Sequence, residues 1–338
     1  MGATDKQLYK TMTDIVAISD SSMRRASKIL VDGGLVAFPT ETVYGLGANA
    51  CDSTAVAAIF EAKGRPNFNP LISHVASSQA AFKLGTETDL SNILASCFWP
   101  GALTLVLNRR PDCPVAMLAT AGLDKIAVRL PASKHAQTLL QMCAIPIAAP
   151  SANRSGRISP STANHVHAGL AGKIDLILDG GPCESGLEST IVDCSGSAPV
   201  LLRPGGISRD AIEKALRSAD MPTLLPNFGH FTTHRPTAPG QLRSHYAPCV
   251  EVRLNATTAN NTEELIGFGP IDGVGQLSLS LSKTGDLREA AANLFAMLHQ
   301  ADAVTAGTGR SIAIAPIPEN GVGEAINDRL RRAAAPRH

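Results

Sequence analysis

The chain is 338 residues long, 44% hydrophobic and 17% charged, with 30 Lys and Arg against 29 Asp and Glu for a formal net charge of +1. That length exceeds one ordinary domain and that apolar content sustains a sizeable core, so two domains are expected and wholesale disorder is excluded. The charge balance speaks against a broad nucleic-acid or acidic-membrane footprint, which takes a cationic excess, and leaves room for a local anion site.

MGATDKQLYKTMTDIVAIS lacks the apolar centre of a signal peptide, and no uninterrupted apolar run approaches a membrane span. Lys6 stands where a myristoylation signal carries Ser or Thr. The cysteines (Cys51, Cys97, Cys113, Cys143, Cys183, Cys194 and Cys249) are scattered and form no C-x-x-C pair, which points away from zinc and toward small buried hydrophobes in a reducing cytosol. A cytoplasmic protein with no membrane partner is expected.

In chain order, Ser22 to Asp32 suits a helix stopped by Gly33-Gly34, and LVAF, ended by Pro39, reads as a buried strand. Asp52 or Ser53 can cap a helix whose apolar face carries Val56, Ile59 and Phe60 and which ends near Lys63, with Gly64 at the stop. LISHVA is a strand, Leu90 to Phe98 a helix, and LTLVL and IAVRL two more strands. Ser133 opens a helix with Leu139 and Leu140. PIAAP then leads into a polar loop, SANRSGRISPSTANHV, and IDLIL, TIVD and PVLLR are strands before a helix capped by Ser208 that runs through Arg217. This alternation marks an α/β arrangement.

PNFGHFTTHRPTAPGQLRSHYAP is rich in Pro, Gly, Thr and His without apolar period and reads as a linker or lid. The pattern resumes with VEVRL, LIGFG and QLSLSLS, a helix from Leu287 to Gln300, the strand SIAIAPI and a last helix from Glu324 to Arg332, a small second α/β unit.

Four stretches carry candidate chemistry. In KGRPNFNPL, Lys63 and Arg65 stand one glycine apart beside Asn67 and Asn69; cations at a helix C-terminus complement its dipole, but a Lys point charge and an Arg fork are also complementary phosphate ligands. PSANRSG places Ser151 and Asn153 after a strand, where open α/β sheets bind ligands, although an ordinary Ser or Asx turn explains them as well. PTETVYGLG offers hydroxyls at Thr40 and Thr42 and a carboxylate at Glu41, without being a Walker A loop or a GxGxxG fingerprint. Arg129, inside an apolar strand, needs an anion, either a structural carboxylate or a substrate's. The His230/His234 and His165/His167 pairs lack a rigid metal scaffold and read as solvated or packed histidines.

LVAFPTETVYGLG, KGRPNFNPL, WPGALTLVL, IAVRLP, APSANRSGRISPST, GLESTIVD and LLRPGG, in this order, resemble the YrdC-like domain; HYAP and PIPENGVGEAINDRLRRAA are similar to the linker and second domain of its long form, the threonylcarbamoyl-AMP synthase family. The resemblance runs from about Ser22 to the C-terminus. It implies a YrdC-like twisted mixed sheet with flanking helices over residues 20–218, a linker or lid over 219–248, and a smaller Rossmann-like α/β domain over 249–338. It implies the conversion of L-threonine, bicarbonate and ATP to threonylcarbamoyl-AMP and pyrophosphate, with Mg²⁺ travelling with ATP and the product handed to a tRNA-modifying complex. By the same resemblance Lys63 and Arg65 are catalytic. Lys63, Arg65, Asn67, Ser151, Asn153, Ser161, Arg203 and Tyr246 hold the nucleotide, and Thr40, His74, Arg129 and Ser189 hold threonine. Tyr246 is expected to fold over the nucleotide. Lys125 departs from the family, which often carries a small hydroxyl residue there, and either contacts phosphate or points to solvent. Two rivals are a YrdC-like module gripping double-stranded RNA without catalysis, and a hydrogenase-maturation carbamoyl transferase, whose acylphosphatase-like segment and paired zinc cysteines are missing here.

Overall fold

The computed structural model describes residues 13–226, 244–270 and 279–336. Most of the expected linker, residues 227–243, lies outside the described residues, as does the start of QLSLSLS. The elements of the first part are β1 (Asp14–Ala17), α1 (Asp20–Val31), β2 (Val36–Phe38), β3 (Gly45–Asn49), α2 (Ser53–Lys63), β4 (Ile72–His74), α3 (Ser78–Phe82) and α4 (Asp89–Phe98). They continue with β5 (Leu103–Asn108), β6 (Lys125–Arg129), α5 (Lys134–Cys143), β7 (Ile147–Ala148), α6 (Ala163–Leu170), β8 (Leu176–Asp179), β9 (Thr190–Asp193), β10 (Val200–Arg203), α7 (Arg209–Ser218) and β11 (Leu225–Pro226). The second part has β12 (Val252–Arg253), β13 (Glu263–Gly267), β14 (Leu279–Ser280), α8 (Leu287–Thr305), β15 (Ser311–Ile314) and α9 (Gly323–Ala333).

The first eleven strands form one mixed sheet in the order β1-β8-β2-β3-β7-β4-β6-β5-β9-β10-β11; the last four form a parallel sheet in the order β12-β15-β13-β14. Strand alternation assigns the two faces of the large sheet. Ala37, Leu46, Ala48, Leu103, Leu105 and Leu107 point to one face, where α2, α4, α6 and α7 cover them with Val56, Ile59, Leu94, Val166 and Ile212. Val36, Phe38, Ile147 and Leu178 point to the other, where α1 and α5 supply Leu30, Leu139 and Leu140. Beyond α1 and α5 that second face carries a small apolar cluster of Ile72, Val106, Ala127 and Ile191. The gap between these two coverings is where the site lies.

Local signals set the helix bounds. Asp52 accepts a hydrogen bond from the Thr54 amide at the start of α2, and Gly64 ends it at φ 60°, a left-handed turn that costs a residue without Cβ nothing. Ser133 and Ser208 cap α5 and α7 as their spacing predicts. Ser19 caps α1, so the helix begins two residues before Ser22, which closes a capping box. Other elements exceed the sequence reading. The polar loop after PIAAP ends at Thr162, whose hydroxyl accepts the His165 amide and starts α6, and β1 pairs in parallel with β8 in a segment too short to show a period.

Candidate functional site

A cavity opens on the second face of the large sheet, lined among others by Thr40, Thr42, Gly45, Arg65, Ile72, His74, Arg129, Ser151, Glu188, Ser189, Arg203, His245 and Tyr246. Ile72 and His74 lie two apart on β4, and His74 is in register with Arg129 of β6, so all three side chains share one face. Ser151 follows β7 and Thr40 and Thr42 follow β2, beyond strand carboxyl ends as the sequence reading has it, and from there the cavity extends over the sheet face that carries Ile72 and His74.

Lys63 does not line the cavity. Its buried Nζ donates to the Ser151 carbonyl at 2.5 Å and to the Asn153 carbonyl, while the Ser155 amide donates to the Lys63 carbonyl at 2.8 Å. The end of α2 is thereby strapped to the loop that carries Ser151, and KGR and SAN meet. Burial, and after it the Arg65 charge, push the Lys63 ammonium well below its ordinary pKa. Arg65 is fixed by the carbonyls of Asn69 at 3.2 Å and Pro70 at 3.0 Å, and burial lowers it only to about 10, so it stays a cation at the wall.

Arg129 settles one alternative. Its guanidinium meets the Glu41 carboxylate at 2.5 Å, the Thr42 hydroxyl at 3.0 Å and the Gly101 carbonyl at 3.2 Å, a structural pairing that still faces the cavity. Burial would raise the Glu41 carboxyl, but Arg129 outweighs it and holds the pKa below the ordinary range. A guanidinium has more N–H groups than these partners occupy, so a further carboxylate can be accepted. His74 is pushed down to about 3, by burial first and Arg129 second, and is neutral; its Nδ1 has no partner among the described residues.

Arg203 donates to the Ser189 carbonyl at 3.1 and 2.8 Å and to the Ser189 hydroxyl at 3.2 Å. Gly205 makes that approach possible: a Cβ there would lie 2.4 Å from the Glu188 carbonyl oxygen and the Thr190 amide nitrogen. Tyr246, at φ 63°, is buried between the His245 and Phe295 rings with the Arg329 guanidinium 5.3 Å from its centroid. The Ala247 amide donates to the Gly156 carbonyl at 2.9 Å, so HYAP lies along the SANRSG loop. Burial first, then Arg65 and Lys63, drive the His245 pKa well down.

Thr40, Arg65, His74, Arg129, Ser151, Ser189, Arg203 and Tyr246 thus converge on one cavity. Asn67 does not: it is exposed, and the buried asparagine of its loop is Asn69. Asn153 and Ser161 are buried behind the wall; the Asn153 amide donates to the Arg154 and Arg157 carbonyls at 2.9 and 2.7 Å, and the Ser161 hydroxyl lies 3.3 Å from His165 Nδ1. Lys125 pairs with Asp193 at 2.8 Å on the far side of β5, which accounts for it without phosphate. Glu188 and His245 are wall residues that the sequence reading did not single out, and Thr42, named there for its hydroxyl but given no ligand, is a third.

Residues 28–205 match the Sua5, YciO and YrdC family model, described as telomere recombination, and residues 207–335 match the threonylcarbamoyl-AMP synthase C-terminal domain. The threonylcarbamoyl-AMP synthase of Pyrococcus abyssi is 42% identical over 94% of this chain and 95% of its own length, and that of Bacillus subtilis is 38% identical over 98% of each. The crystal structure of P. abyssi Sua5 complexed with L-threonine superposes with a TM-score of 0.84 at 39% identity, covering 95% of this chain and 98% of that one. Escherichia coli YciO, at 21% identity and a TM-score of 0.53 over 57% of this chain, shares the fold of the first part.

Proposed function

The chain belongs to the threonylcarbamoyl-AMP synthase family, and on that premise we propose that its cavity joins L-threonine, bicarbonate and ATP into threonylcarbamoyl-AMP, releasing pyrophosphate and water. The observation that carries this reading is the gathering of Arg65, Arg129 and Arg203 with neutral His74 and the hydroxyls of Thr40, Ser151 and Ser189 around one space. Such a wall suits two anionic ligands side by side, an amino-acid carboxylate and a polyphosphate.

In this proposal the threonine carboxylate lies against the N–H groups of Arg129 that Glu41 and Thr42 leave over, with Thr40, His74 and Ser189 around its other end. Arg129 already has its orientation fixed by three partners, so little ordering is left to be done on binding. The threonine amine attacks the carbon of bicarbonate, water leaves, and a carbamate forms. A carbamate oxygen then attacks the α-phosphorus, the bond from that phosphorus to the bridging oxygen breaks, and pyrophosphate departs. Catalysis of such a displacement is positioning plus neutralisation of phosphate charge, which falls to Arg65 with Lys63 behind it. A triphosphate in the cavity favours the charged form of Lys63, since a nearby anion stabilises a cation. The reaction class is nucleotidyl transfer.

Among the described residues no three His, Cys, Asp or Glu side chains gather into a metal site, and Glu188 at the wall is already held by Ser159 and Arg329. In this proposal Mg²⁺ enters as a companion of ATP. Among the described residues no helix is long and apolar enough to cross a membrane. Cytoplasmic location and transfer of the product to a tRNA-modifying complex belong to the same proposal; the free thiols buried at Cys113, Cys143, Cys183 and Cys194 agree with a reducing compartment. The test is pyrophosphate release from ATP with threonine and bicarbonate omitted in turn. Release is expected only when both are present; release indifferent to threonine would refute the proposal.

A further inference from the structure

Two helices of the second unit touch residues of the cavity wall: α8 through Phe295 on Tyr246, and α9 through Arg329 on Glu188 and Tyr246. Arg329 of α9 is fully buried, and its Nε donates to Glu188 Oε2 at 2.9 Å, 141 residues away in sequence. The other Glu188 oxygen accepts the Ser159 hydroxyl at 2.6 Å. The same guanidinium sits over the Tyr246 ring and donates to Asp328 at 2.7 Å, and Asp328 also accepts from Arg332 at 3.0 Å. The Arg332 carbonyl in turn accepts the His245 amide at 3.3 Å. Glu188 and Tyr246 both line the cavity, and Glu188 directly precedes Ser189. Tyr246 belongs to the apolar core of the second unit, together with Val43, Ile158 and Leu187 of the first.

A buried ion pair costs desolvation that an apolar pair does not incur, so stability alone is a weak account of a charge at this position. Its geometry has another consequence: one guanidinium fixes, at once, a carboxylate of the wall and the aromatic ring beside it. We propose that Arg329 is a positioning residue for the cavity, acting through Glu188 and Tyr246, and that α9 is in this way a working part of the site. This rests on the reaction proposed above for its kinetic readout, but its structural readout does not need that reaction.

The experiment compares full-length wild type with Arg329→Met, Arg329→Lys and the double variant Glu188→Gln/Arg329→Met, in which no buried carboxylate is left without its cation. Hydrogen exchange of the peptide spanning residues 244–250 is followed beside exchange of β5 and β6. Pyrophosphate release at varied ATP is scaled to the number of threonine-binding sites counted by calorimetry. In both methionine variants, exchange at 244–250 is expected to quicken at least tenfold with β5 and β6 unchanged. Release per threonine site should fall at least tenfold, mainly through a raised KM for ATP, with partial return in Arg329→Lys. A double variant with wild-type exchange at 244–250, or with wild-type release per site, overturns the proposal. If wild type itself releases no pyrophosphate, the reaction assignment fails, and exchange at 244–250 alone decides the role of Arg329.

Discussion

Arg65→Ala is expected to retain threonine binding and to lose about 10²–10³-fold in the rate of pyrophosphate release, the scale of removing one preorganised donor from a site of developing charge. Arg65 is the cation of the KGR stretch that faces the cavity, and at a pKa of about 10 it is charged at neutral pH. Lys63→Ala is expected to differ in kind. It withdraws the buried donor from the Ser151 and Asn153 carbonyls, each left unsatisfied at a cost of roughly 1–3 kcal/mol, and it frees the loop that brings Ser151 to the wall. Activity and thermal stability should therefore fall together in Lys63→Ala. Steady-state kinetics with calorimetry for threonine and scanning calorimetry for unfolding separate the two; wild-type turnover in Arg65→Ala contradicts its role, and an unshifted melting temperature in Lys63→Ala contradicts the strap.

Arg129→Met should abolish threonine binding and also destabilise the fold. It strands Glu41, a largely buried carboxylate whose other oxygen accepts the Ser133 amide at 3.2 Å at the start of α5. Removing one member of a buried pair costs about 3–5 kcal/mol. The double variant Glu41→Gln/Arg129→Met should regain most of that stability, because no charge is left unpaired, but none of the threonine affinity. Denaturant unfolding and calorimetric titration with L-threonine measure the two effects. Threonine binding in the double variant would remove Arg129 from the carboxylate site.

Legibility followed the range of the interaction. The bounds of α2 were readable because Asp52 and Gly64 act on their own turns. That Arg129 seeks an anion was readable from one cation in an apolar strand, but its partner is 88 residues earlier, a distance no local pattern spans. Asn67 and Asn69 are alike in sequence, and only the course of the loop decides which is buried. Lys63 was brought beside Ser151 and Asn153 by the family resemblance, whereas its use of their carbonyls depends on backbone geometry. Arg329 did leave a trace. In α9 the buried positions are Gly323, Ala325, Ile326, Arg329, Leu330, Arg332 and Ala333, so Arg329 occupies a place on the stripe of Ala325, Ile326, Leu330 and Ala333 where the helical period calls for an apolar residue. The same argument that singled out Arg129 in its strand applies there and calls for an anion, which only the structure identifies as Glu188. The cavity's place over a sheet face was not legible, because it depends on where α1 and α5 stop covering that face.

The most direct measurement is mass analysis of the nucleotide formed from ATP, L-threonine and isotopically labelled bicarbonate. One labelled carbon is predicted in a product that also contains threonine and AMP, formed in step with pyrophosphate and missing when threonine is left out. An unlabelled adenylate, or pyrophosphate released at the full rate without threonine, would contradict the account.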